Sequence, residues 1–264
     1  MRVLVYDCSA GISGDMNLAA LIDLGADRDI LERELSKLNV HGEWKLECRR
    51  AAQAGIHGMR VDVLAHEHGH SGHSHEHHHR TMADIRRIIT ESGLPDAVQK
   101  TALSIFSLLA EAEAHVHGTT PDQVHFHEVG AVDSIIDIVG AAICLDLLRA
   151  DAVFTGPVEL GGGRVTCQHG VMPVPAPATA LLARHFQSTL NGTPHGATTP
   201  TGAAYIAAVA QPAPSPLSGR ITASGYGIGH REGLPLPNIL RVMLVETEEQ
   251  DTATERLTEL CANI

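Results

Sequence analysis

One segment, residues 131–149, constrains the fold most, because the helix that it predicts is apolar on nearly every side. Such a helix is typical of the interior of a protein. Asp133 and Asp137 nevertheless stand four residues apart and share one helix face. Like charges at this spacing repel, and burying them unpaired is unfavourable. We expect a cation or a group of histidines to compensate them; helix capping or pairing with Arg or Lys is the alternative.

Strand and helix patterns alternate along the chain and predict an α/β fold, a mixed sheet with flanking helices in a single domain. This domain spans residues 1–246, and the polar stretch 247–264 is predicted to be a linker and the start of a truncated C-terminal region. The predicted strands are residues 2–6, 43–50, 55–64, 152–159, 164–168, 219–229 and 239–246. The predicted helices are residues 16–24, 28–38, 81–92, 95–115, 131–149, 176–185 and 201–210.

Composition excludes several function classes. A net charge of −12 and an aromatic content of 3% argue against nucleic acid as the main partner. No apolar run approaches the ~20 residues that a membrane span requires, and the apolar start is too short for a signal peptide. Five scattered cysteines do not form a disulfide framework. We therefore predict a reduced, cytoplasmic protein with no nucleic-acid or membrane partner.

Histidine is unusually frequent, with 18 residues, and residues 66–79 form a low-complexity stretch rich in it. Nothing in this stretch can enter a core, so we predict an exposed, disordered loop. Imidazole suits nickel, zinc and copper. An engineered tag is the alternative, but a tag stands at a terminus and is not interleaved with Gly, Ser and Glu. A floppy loop fixes no coordination number, so its expected role is to collect or hand over an ion. The predicted metal ligands in it are His66, His68, His70, His73, His75, His77, His78 and His79.

A second set of histidines lies outside this loop. His115 and His117 form one pair, and His125 and His127 form another. In an extended segment, residues two apart share a face, so each pair is predicted to chelate one ion or one anionic ligand. The leading candidate site combines the second pair with nearby carboxylates: His125, His127, Glu128, Asp133 and Asp137.

Two turns are candidate anion sites, because backbone N–H groups converge where a helix begins. One follows the first strand and contains Gly11, Ser13 and Gly14. It is neither a dinucleotide fingerprint nor a Walker loop. The other holds Thr199, Thr201 and Gly202, and an ordinary N-cap is its alternative.

Three further features near glycines are weaker candidates. Asp7 and Asp15 flank the first turn and are predicted metal ligands, although Asp15 is equally explained by the helix dipole. The run 161–163 with His169 is a second glycine loop, for which an ordinary turn is the alternative. Cys8 is the one cysteine in a position suited to chemistry, but a buried inert thiol is favoured.

Together these segments resemble one known family. The matching motifs are residues 7–16 (DCSAGISGDM), the histidine-rich loop, residues 124–137 (VHFHEVGAVDSIID), residues 169–179 (HGVMPVPAPAT) and residues 199–204 (TPTGAA). The family is that of the nickel-insertion proteins, which make the nickel-pincer nucleotide cofactor of lactate racemase and related enzymes. The resemblance covers essentially the whole chain.

The resemblance implies a reaction and its cofactors. Family members install nickel in pyridinium-3,5-bisthiocarboxylic acid mononucleotide and consume CTP, which forms a cytidylyl adduct. CTP and manganese or magnesium belong to a C-terminal region that begins where this chain ends. The implied partners are this substrate and that region or a partner subunit, and we expect a homo-oligomer. The turn with Gly11, Ser13 and Gly14 (the glycine turn) or the turn with Thr199, Thr201 and Gly202 (the threonine turn) is expected to bind the substrate phosphate. The candidate catalytic residues are His125, His127, Glu128 and Asp133.

Two alternative functions remain beside a nickel insertase. The first is a nickel storage or delivery protein that only chelates the ion through residues 66–79. The second, a zinc-dependent hydrolase, is disfavoured because the sequence holds no H-E-x-x-H motif.

Overall fold

A computed structural model describes residues 1–40, 43–66, 80–124, 126, 130–167, 170–234 and 236–247. Its strands are β1 (Arg2–Asp7), β2 (Glu43–Gln53), β3 (Ile56–His66), β4 (Ala152–Thr155), β5 (Val158–Glu159), β6 (Arg164–Cys167), β7 (Gly170–Pro173), β8 (Ser188–Thr189), β9 (Gln211–Pro212), β10 (Arg220–Ile228) and β11 (Ile239–Glu246). Its helices are α1 (Gly14–Asp23), α2 (Arg28–Leu35), α3 (Met82–Thr90), α4 (Asp96–His117), α5 (Val132–Leu148), α6 (Pro177–Leu182) and α7 (Pro200–Val209). Short 3₁₀ turns lie at Pro121–Gln123 and Ala183–His185.

The main sheet is mixed, as the sequence predicts. In the described part of the chain it has seven strands in the order β2-β3-β10-β11-β1-β4-β9. β1 is an inner strand: Val3 lies opposite Val245 in antiparallel β11 and opposite Ala152 in parallel β4. β3 and β10 pair in parallel, while β2 and β3 form an antiparallel hairpin. A strand near the start of the chain and a strand near the end of the described residues are thus neighbours in the middle of the sheet.

Helix α1 lies directly on β10 because two glycines permit a close approach. A Cβ atom on Gly225 would lie 2.2 Å from the carbonyl oxygen of Ala20, and one on Gly227 would lie 1.9 Å from that of Met16. Neither position can hold a side chain without moving the helix. The contact sets the start of α1 beside the loop that follows β10.

Helix α5 confirms the prediction of a buried helix. It packs against α1, α2 and α4, and Ile135, Ile136 and Val139 have no exposed surface. Close packing on α1 again depends on a glycine, since a Cβ atom on Gly140 would lie 3.1 Å from Leu18 Cδ1.

Most predicted elements are confirmed, with differences at their ends. The segment 152–159 holds two short strands, β4 and β5, instead of one, and α2 ends at Leu35. β7, β8 and β9 have no counterpart among the predicted strands. The predicted disordered loop and the predicted C-terminal region lie outside the described residues, apart from the end of β3. None of the described helices is long and apolar enough to cross a membrane.

Candidate functional site

The carboxyl group of Asp137 lies against the start of α1. A Cβ atom on Gly14 would be 2.8 Å from Asp137 Oδ2, so the missing side chain of this glycine makes room for the carboxyl. Oδ1 of Asp137 is buried and has no hydrogen-bond partner among the described residues. Burial raises the pKa of Asp137 well above its ordinary value, and the carboxylates of Asp15 and Asp133 raise it further. The ionised form of Asp137 is therefore disfavoured at this position unless a cation or a hydrogen-bond donor compensates its charge.

We call Asp15, Asp133 and Asp137 the acid cluster. Asp133 is exposed in the first turn of α5, where the helix dipole favours negative charge, and its Oδ1 accepts a hydrogen bond from the Ser134 amide at 2.8 Å. Asp15 lies in the first turn of α1, and the Ser13 hydroxyl donates to its Oδ1 at 2.5 Å. Asp15 and Asp133, which the sequence also singles out, thus each lie near enough to Asp137 to raise its pKa.

Two residues that the sequence analysis missed adjoin this cluster. His230 Nε2 lies 3.5 Å from Asp15 Oδ2 and 3.2 Å from Asp62 Oδ1. Asp62 stands in the middle of β3, and His230 follows β10. No local pattern marks either residue, because their proximity depends on the parallel pairing of β3 with β10.

The two predicted anion turns pack against each other. The amide of Ile12 donates to Thr198 Oγ1 at 3.3 Å, and the amide of Thr199 donates to the carbonyl of Ile12 at 3.0 Å. Gly11 has a φ of +83°, and a Cβ atom there would lie 2.1 Å from the carbonyl oxygen of Ala197. Gly11 of the glycine turn therefore serves the close packing of this turn on the threonine turn.

The starts of the two helices differ in their capping. Thr199 Oγ1 accepts a hydrogen bond from the Gly202 amide at 3.2 Å, which is an ordinary N-cap, and it also lies 2.8 Å from Thr201 Oγ1. Ser13 makes no such cap and donates to Asp15 instead. The threonine turn has no acidic residue in the first turn of its helix, whereas the glycine turn lies beside the acid cluster.

Asp7 and Cys8 are engaged elsewhere. Arg241 donates to Asp7 Oδ2 at 2.5 Å, and the Ser9 amide donates to Oδ1 at 3.2 Å. Burial alone raises the pKa of Asp7, but the hydrogen bonds from Ser9 and Arg241 outweigh it and lower the pKa overall. Burial raises the pKa of the Cys8 thiol to about 12, which agrees with an inert thiol.

The glycine loop at 161–163 surrounds a buried carboxylate. Glu159 is 3% exposed, and its Oε1 accepts hydrogen bonds from the amides of Gly161, Gly192 and Thr193 at 2.9–3.2 Å. Thr189 Oγ1 donates to Oε2 at 2.5 Å. Here the alternative of an ordinary turn accounts for the described residues, and His169 lies outside them.

The prediction for His115 and His117 is wrong. Both stand in the last turn of α4, where residues two apart point to different sides. His117 Nε2 lies 3.3 Å from Glu113 Oε2 in its own helix. The pair therefore cannot chelate one ion in the way an extended segment would allow.

The remaining predicted site residues are not described, but their neighbours are. His125, His127, Glu128 and the side chains of the histidine-rich loop lie outside the described residues. The amide of Phe126 donates to the carbonyl of Arg80 at 3.2 Å, and Arg80 Nη1 donates to the carbonyl of Gly130 at 2.7 Å. Arg80, the first described residue after the histidine-rich loop, is thus fixed beside the segment that precedes α5. Within the described ranges, no three His, Cys, Asp or Glu side chains converge closely enough to hold a metal ion.

Comparison with known proteins gives consistent matches. The sequence profile of a family described as "Nickel insertion protein" matches residues 4–264. A pyridinium-3,5-bisthiocarboxylic acid mononucleotide nickel insertion protein of Akkermansia muciniphila is 80% identical over 264 residues, which are 100% of this chain and 65% of that protein. A protein of the same name from Clostridium kluyveri is 48% identical over 260 residues, 97% of this chain and 65% of its own length.

A third relative of that name, from Clostridium acetobutylicum, is 47% identical over 285 aligned positions, covering 98% of this chain and 68% of its own length. The chain thus spans about two thirds of the length of these relatives, and slightly less for the first two. No solved structure matches it significantly.

Proposed function

The chain belongs to the nickel insertion protein family, and from this premise we propose that it is the nickel-binding part of an enzyme that inserts nickel into pyridinium-3,5-bisthiocarboxylic acid mononucleotide. The observation that supports this most directly is the buried, unpartnered oxygen of Asp137 beside the carboxylates of Asp15 and Asp133. A divalent cation compensates the charge of an ionised carboxylate in such a position.

Nickel is a substrate in this proposal, so the protein must both hold it and release it. Carboxylate and imidazole ligands suit that task better than thiolates, which bind nickel more persistently. The softer, chelating thiocarboxylates of the mononucleotide can then take the ion from the protein. We assign the holding role to the acid cluster together with His125 and His127, which complete a ligand set that the acid cluster alone does not provide.

The histidine-rich loop has a supporting role in this proposal. Its eight imidazoles collect nickel and pass it to the acid cluster. The hydrogen bonds that fix Arg80 to Phe126 and Gly130 support this assignment, because they hold one end of the loop close to the segment that leads into α5.

Forming a carbon–nickel bond releases a proton from the pyridinium ring, so the site needs a base. We assign this role to the segment that precedes and opens α5, with His125, His127, Glu128 and Asp133 as candidates. The high pKa of the buried Cys8 thiol makes it unsuitable.

The threonine turn is the better site for the substrate phosphate. Carboxylates at the start of α1 repel an anion, whereas the first turn of α7 has no acidic residue. We therefore assign the phosphate to Thr199, Thr201 and Gly202. We assign CTP, with manganese or magnesium, to the third of the relatives' length that this chain does not cover.

An assay of nickel insertion separates this proposal from nickel storage. The assay supplies the C-terminal region, CTP and the mononucleotide, and varies nickel. The variant whose loop histidines are replaced by Ser should be less active than the parent at limiting nickel. At excess nickel its activity should equal that of the parent. Asp137→Asn and His125→Ala should stay inactive at every nickel concentration, while Asp122→Asn, at an exposed site, should not differ from the parent. If the loop variant is inactive at every nickel concentration while Asp137→Asn and His125→Ala stay active, the protein is a storage protein.

A further inference from the structure

His230 occupies a defined position beside the acid cluster that no motif of the sequence explains. Its Nε2 lies between Asp15 Oδ2, at 3.5 Å, and Asp62 Oδ1, at 3.2 Å. The side chain is 49% exposed, so it is not there to fill the core. The imidazole thus lies between a carboxylate of α1 and a carboxylate of β3.

The backbone on both sides of His230 is held by side chains of the β2–β3 hairpin. Arg60, which is buried, donates to the carbonyl of Gly229 at 2.7 Å. The Gln53 amide donates to the carbonyls of Gly229 and Arg231, each at 2.9 Å. Three hydrogen bonds from two side chains therefore fix the carbonyl groups of the residues on either side of His230.

Two further contacts fix the surroundings of this loop. Arg231 donates to the carbonyl of Gly196, in the turn that packs on Gly11. Arg49 Nη2 lies 3.5 Å from Asp62 Oδ2, so the two side chains form an ion pair on the hairpin. His230 is thus anchored relative to both the sheet and the glycine turn, which exceeds what an exposed loop histidine requires.

We propose that His230 is a positioning residue of the nickel site: it holds the Asp15 carboxylate in place beside Asp137, and Asp62 holds the imidazole. This inference rests on the proposed function. Groups that orient a metal-binding carboxylate from outside the ligand set affect affinity strongly, commonly by about 10–100-fold. His230 acts through Asp15, which distinguishes it from a residue that only stabilises the fold.

The test measures nickel affinity in the chain whose loop histidines are replaced by Ser, so that the loop does not mask the folded site. We expect His230→Ala to raise the nickel dissociation constant by about 10-fold or more, and Asp62→Asn to have a smaller effect in the same direction. His57→Ala is the matched control, because His57 is an exposed histidine on the β2–β3 hairpin, which also holds Asp62. This variant should bind nickel as tightly as the parent.

A double-mutant cycle identifies the route of the effect. In a chain that already carries Asp15→Asn, adding His230→Ala should change nickel affinity little, because the carboxylate that it positions is gone. The inference would be overturned if His230→Ala weakened nickel binding equally with and without the Asp15 carboxylate. It would also be overturned if His230→Ala alone left nickel affinity unchanged. Thermal unfolding of each variant confirms that it is folded.

The inference and the proposed function fail in different ways. If the parent with the substituted loop binds no nickel, the proposed folded nickel site is wrong, and the role of His230 falls with it. If this parent binds nickel and Asp15→Asn weakens binding but His230→Ala does not, the inference alone is wrong.

Discussion

At the scale of single residues, the carboxyl of Asp137 lowers the stability of the metal-free protein. It lies against Gly14 with a buried, unpartnered oxygen, and burial together with two carboxylates raises its pKa. Between the unfolded and folded pKa values, the folded state binds more protons than the unfolded state. Stability therefore falls as pH rises through this range.

Asp137→Asn should remove this dependence on pH. An amide at this position carries no charge and can donate hydrogen bonds to the neighbouring carboxylates. We expect the metal-free variant to be more stable than the parent at about pH 8, by about 1–3 kcal/mol, and similar to it at the acid end of the range. Urea unfolding at both pH values measures the difference, with Asp122→Asn as an exposed control. A parent that becomes more stable relative to the variant as pH rises would contradict the buried carboxyl.

The residues of the site show what the sequence predicts and what it does not. The spacing of Asp133 and Asp137 on an apolar helix is a local signal, and in the structure the Asp133 carboxylate is close enough to Asp137 to raise its pKa. Asp62 and His230 carry no such signal, since they meet only because β3 and β10 pair across more than 160 positions of the sequence. For His115 and His117, the helix pattern continues to Gly118, whose φ of +64° ends α4. That glycine was the signal that could have corrected the prediction.

At the scale of elements, the glycine turn before α1 combines two demands. Gly11 needs a positive φ, and its Cα lies against the carbonyl of Ala197. Gly25, after α1, also has a positive φ, of +121°, but nothing lies within 4 Å of the Cβ atom that it lacks. A side chain at Gly25 would strain only the backbone, whereas a side chain at Gly11 would also collide with Ala197.

Gly11→Ala should destabilise the protein more than Gly25→Ala does. Both substitutions strain the backbone, by about 1–2 kcal/mol. Only Gly11→Ala also forces the glycine turn away from the threonine turn, which adds about 1–3 kcal/mol. Chemical denaturation of the two variants gives the comparison, and equal losses would mean that the two turns do not pack as described.

Elements with a local signal were predicted well, and the way they assemble was not. Strands at 43–50 and 55–64 were predicted, and the structure joins them as the β2–β3 hairpin, in whose turn Ala54 and Gly55 both have positive φ. The order of strands in the sheet depends on pairings such as β1 with β11, which join residues near opposite ends of the chain. Alternation of polar and apolar residues determines which face of a strand is buried, but not which strand lies beside it.

At the scale of the whole molecule, β11 connects the first strand of the chain to the rest of the sheet. It pairs with β10 along one edge and with β1 along the other, and Val242 and Leu240 are fully buried. A chain that ends after Pro237 lacks this strand and should not fold, because an inner strand of the sheet is lost. A chain that ends after Thr247 keeps every described element and should fold. Circular dichroism and thermal unfolding distinguish the two, and a cooperative transition in the shorter chain would contradict this topology.

We propose that the folded acid cluster, and not the histidine-rich loop alone, binds nickel. Calorimetric titration of nickel into the parent chain and into a variant with residues 66–79 deleted separates the two possibilities. We predict that one tight site per chain survives the deletion and is lost with His125→Ala or Asp133→Ala. If all nickel binding disappears with the loop, the claim is wrong, and the folded part is a substrate-binding domain that carries a chelating segment.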